Sequence, residues 1–112
     1  MNEHNFDKLL NRIAHEQGGC GIDWEADKFY FDRVITDAGW DGGLCGPARI
    51  AAFLDIPEKD ATAMTLMGSM TRIKLFSAMP LEQQKMTLMT LLLHYKRFGK
   101  VDWFNAFLAG AL

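Results

Sequence analysis

The chain has 112 residues, 49% of them apolar and 23% charged, with a formal net charge of −2. That length is one ordinary domain, and that apolar fraction excludes wholesale disorder. The slightly acidic balance argues against an obligate nucleic-acid coat and against an acidic DNA mimic.

The first predicted element is a helix over Glu3–Gln17. Phe6, Leu9, Leu10, Ile13 and Ala14 recur at the spacing of one buried helical face, and Gly18-Gly19-Cys20-Gly21 stops it. Asp23 is placed to cap a second helix, Trp24–Ala38, whose stripe is Phe31, Val34, Ile35 and Ala38. The run from Lys28 to Ile35 is also aromatic and β-branched enough for a strand, so a short strand near 28–35 stays open. Gly39, Gly42, Gly43 and Gly46 then mark a loop from Gly39 to Pro47, which is either a ligand site or only a turn. Pro47 suits the first turn of a short helix, Pro47–Leu54, because its missing N–H has no partner there anyway. Asp55-Ile56-Pro57 is a turn, and Pro57 opens a helix running to about Phe76. Ser77-Ala78-Met79-Pro80 interrupts, Leu81–Phe98 is a long helix closed by Gly99, and Asp102 caps a last helix, Trp103–Leu112. Six helices with short connections predict an all-α or mostly α fold, a small orthogonal bundle of about five to six helices forming one domain over 1–112.

The first residues are polar and carry no apolar signal segment. The longest apolar stretch, around Met86–Tyr95, is broken by Thr87, Thr90 and His94. The expected location is the cytoplasm, with no membrane contact and with Cys20 and Cys45 as reduced thiols. The cysteines are too far apart for a zinc site, and neither Asp23–Val34 nor Asp37–Ala48 completes a calcium loop. No metal and no cofactor are expected. His4 falls at a terminus, His15 in the last turn of the first helix, and His94 inside a leucine-rich helix.

Two short segments carry resemblances. Cys45-Gly46-Pro47-Ala48 followed by an apolar helix resembles the nucleophile segment of papain-like bacteriocin-processing cysteine peptidases. That resemblance implies Cys45 as a nucleophile, its thiolate favoured by the unpaired N–H groups of a helix start. The family's partner histidine lies downstream on a strand, whereas the sole histidine after Cys45 is His94 in a helix. The expected role of Cys45 is therefore packing in a glycine-rich turn. The segment from Arg49 to Met64 resembles a helix-turn-helix, with Ala51 small and Ile50, Leu54, Ile56, Ala61 and Met64 apolar at the inner face. Its second helix opens Pro57-Glu58-Lys59-Asp60, and Glu58 and Asp60 would face the DNA backbone charge. The expected role is a two-helix corner of the bundle.

Charge is uneven: residues 1–56 carry a net −5 and residues 57–112 a net +3. Methionines concentrate from Met64 to Met89, and the last helix has the apolar residues Trp103, Phe104, Phe107 and Leu108. The helices over 57–76 and 81–98 also carry Leu66, Ile73, Leu75, Phe76, Leu88, Leu91, Leu92 and Leu93, more apolar width than a small bundle needs, which points to a partner surface. The expected function is protein–protein interaction, as an accessory, inhibitor or immunity-type module, with another protein or a second copy as partner. Trp103, Phe104 and Phe107 are the expected anchors, and Lys96, Arg97 and Lys100 the expected rim. The alternatives are a DNA-binding regulator with a helix-turn-helix and a cysteine hydrolase using Cys45; the leading reading is not an enzyme.

Overall fold

A computed structural model describes residues 1–15, 22–23, 28–29, 35, 40, 43–44, 46–64 and 70–111. In chain order it contains α1 (Glu3–His15), β1 (Ile22–Asp23), β2 (Lys28–Phe29), α2 (Pro47–Leu54), α3 (Glu58–Met64), α4 (Met70–Ala78), α5 (Leu81–Phe98) and α6 (Trp103–Ala111). The protein is thus a mostly helical bundle, and its six described helices supply nearly all of the described core. No described helix is long and apolar enough to cross a membrane.

Local chemistry explains most element ends. The Asn2 side chain accepts the Asn5 N–H at 3.1 Å and caps α1. The same end is tied to the end of α2: Asn2 N–H donates to Leu54 O at 2.8 Å, and the Asn5 amide donates to Phe53 O. Gly46, at φ 63°, precedes Pro47 at the first turn of α2. Asp55 closes α2 in the left-handed region, at φ 55°, a conformation that Asp tolerates better than most residues. Gly99 does the same for α5 at φ 69°, its N–H reaching Tyr95 O at 2.8 Å. Asp102 caps α6 by accepting the Asn105 N–H at 3.1 Å.

The bounds of α2 and α5 match the expectation. Two details differ. Residues 28–29 are strand, paired antiparallel with 22–23 (Ile22 opposite Phe29, Asp23 opposite Lys28), so the helix expected over 24–38 does not hold there. The strand preference of the aromatic and β-branched run decides those two positions. The rest of 24–38 lies outside the described residues, apart from Ile35, which is helical and fully buried. The helix expected from Pro57 to about Phe76 is described over Glu58–Met64 (α3) and Met70–Ala78 (α4), with 65–69 outside the described residues, and α4 runs past Phe76 to Ala78.

The core joins Phe6, Leu9 and Ile13 of α1 to Ile50, Phe53 and Leu54 of α2 and to Leu88, Leu91 and Leu92 of α5. Phe6 stacks on Tyr95 with ring centroids 6.0 Å apart. Full burial of one such side chain stabilises the fold by about 1.5–3 kcal/mol. The most extensive packing is α5 against α6, followed by α2 against α3 and α1 against α5. At the α5–α6 contact, buried Gly110 lets the helices approach so closely that a Cβ there would overlap the Thr87 hydroxyl. The two helices therefore act as one rigid slab, on which the candidate site is built.

Candidate functional site

The site lies where the end of α4 and the start of α5 meet the outer face of α6. Phe76 is buried and anchors α4 in the core. The last carbonyls of a helix have no partner within it. Here Gln84, reaching over from α5, donates its amide N–H groups to Phe76 O at 3.2 Å and Met79 O at 3.1 Å. Gln84 is only 2% exposed and stands on the same stripe as Leu88, Leu91 and Tyr95. Backbone bonds from Met79 N–H to Phe76 O and from Gln84 N–H to Pro80 O complete the corner.

This corner and α6 enclose an open groove of about 400 Å3, lined by Leu75, Ala78, Met79, Pro80, Gln83, Phe104, Phe107 and Leu108. Only Gln83 offers a polar side chain. Phe104 is 72% exposed, Leu75 57% and Leu108 43%, whereas Phe107 and Met79 are half-buried against the core. An isolated exposed leucine is ordinary in a folded protein, but three large apolar side chains around one concavity are not.

The structure brings together two of the expected anchors, Phe104 and Phe107, and places Trp103 in the buried core. The helical period explains the split: Trp103 and Ala106 face α5, while Phe104 and Leu108 face outward. The basic rim residues do not line the groove. Lys96 forms an ion pair with Asp7 of α1 at 2.9 Å. That hydrogen bond raises the Lys96 ammonium above its ordinary pKa, against an opposing desolvation effect. The Arg97 guanidinium lies 5.1 Å from the centre of the Phe98 ring. The Lys100 carbonyl accepts a hydrogen bond from His94 Nδ1 at 3.1 Å, and His94 Nε2 lies 3.8 Å from Asp102 Oδ2. The His94 contacts brace the α5–α6 turn.

The other sequence candidates fall elsewhere. Cys45 lies outside the described residues. The expected helix-turn-helix segment does form a corner, with Ile50, Leu54, Ala61 and Met64 buried as its inner face requires. Two of its charged groups, Arg49 and Asp60, make structural contacts. Arg49 donates to Trp40 O at 2.7 Å and lies 5.4 Å from the centre of the Trp40 ring, which meets Phe53 edge-on. Asp60 accepts the Tyr95 hydroxyl at 2.7 Å, joining α3 to α5. Burial first, then the Asp60 bond and charge, hold the Tyr95 phenol well above its ordinary pKa. Among the described residues no cluster of three or more His, Cys, Asp or Glu could hold a metal ion.

Sequence reasoning had named Leu75 and Leu108 only as surplus apolar residues and had missed Met79, Pro80 and Gln83 as groove walls. It also missed Gln84. The available signal was a glutamine on the apolar stripe of α5, where a polar group needs a partner from another element. No protein-family model, curated protein or solved structure matches the chain.

Proposed function

We propose that this protein works by binding another protein, and that the groove between the α4–α5 corner and α6 is where it binds. The observation that carries this reading is the convergence of Phe104, Leu75 and Leu108, all exposed, on one apolar concavity. Its volume falls within the roughly 300–1,000 Å3 range of ligand pockets. Its walls are held by the buried Gln84 bonds and by the close α5–α6 contact, so little ordering is needed on binding. Phe104 is the central anchor in this reading, and Trp103 supports it from beneath as part of the core.

The test is photocrosslinking from single positions in the cells that make the protein. A benzophenone side chain at position 104 or 108 should give one discrete adduct with another protein; the same group at exposed Leu93, on α5, should not. Equal labelling from both faces, or none from the groove, refutes the reading.

The α2–α3 corner favours a second reading, DNA binding. Against it stand the exposed Glu58 at the start of α3 and the engagement of Arg49 with Trp40. DNA binding would weaken steeply with added salt; failure to bind duplex DNA at low salt removes it.

A further inference from the structure

We draw no further inference here: the strongest candidate, the apolar groove between the α4–α5 corner and the outer face of α6, belongs to the site already described, and nothing among the described residues shows what covers it.

Discussion

Gly110→Ala tests the close approach that makes α5 and α6 one slab. A Cβ at Gly110 would lie 2.9 Å from Thr87 Cβ and 2.8 Å from Gln83 O, besides overlapping the Thr87 hydroxyl. Thr87 has no exposure and donates to Gln83 O at 2.8 Å, so it cannot turn aside without losing that bond. Overpacking of this kind costs about 1–3 kcal/mol. Loss of the Thr87 bond adds about 1 kcal/mol. Alanine returns at most about 1 kcal/mol through its higher helix propensity. The expected net loss is therefore about 1–3 kcal/mol, limited at the upper end by unwinding of the last turn of α6. Urea unfolding followed by circular dichroism measures it. Thr87→Ala removes the shortest overlap but leaves Gln83 O in place. In a double-mutant cycle, Gly110→Ala should thus cost less by about 1 kcal/mol in the Thr87→Ala background. Stability of Gly110→Ala at or above the parent value would show that helix propensity outweighs crowding, and the rigid-slab argument would fail.

Three further predictions concern the ties around the core. The Tyr95 phenol is held above its ordinary pKa of 10.0, so the native state keeps that proton where the unfolded chain loses it. Its stabilising contribution is full below pH 10 and declines as pH rises beyond it, by at most about 1.4 kcal/mol per pH unit; Tyr95→Phe should flatten that decline in unfolding titrations. Arg49→Met removes the charged bond to Trp40 O and the contact with the Trp40 ring, and should cost about 1.5–3 kcal/mol. A change in tryptophan emission without loss of stability would show that the clamp is not structural. Asp102→Ala removes the α6 cap and should lower stability by about 1 kcal/mol in thermal melts, with Asp102→Asn retaining most of it; equal losses in both variants would assign the effect to charge instead.

Where the sequence was legible, the signals were local. The stripe Phe6, Leu9, Ile13 and the stop at Gly99 follow from periodicity and from the left-handed backbone that glycine accepts readily. Pro47 and Asp102 mark helix starts because each answers the unpaired N–H groups of a first turn. A mostly helical bundle, the bounds of α2 and α5, and the surplus apolar surface of the last helix were therefore determined by neighbouring residues. The division of that surplus was not. Trp103 and Phe104 are adjacent and similarly apolar, yet one enters the core and the other stands 72% exposed. Which of two neighbours points inward depends on where α5 lies, and that is set by the long-range contact of Gly110 with Thr87. Lys96 read as a free rim cation until α1 brought Asp7 to it across 89 positions of sequence. The role of Gln84 is likewise set by packing, because the carbonyls it satisfies, of Phe76 and Met79, lie at the end of α4 and just beyond it. Helices arise from forces between near neighbours, but a groove is the space that distant segments leave between them, and only their packing defines it.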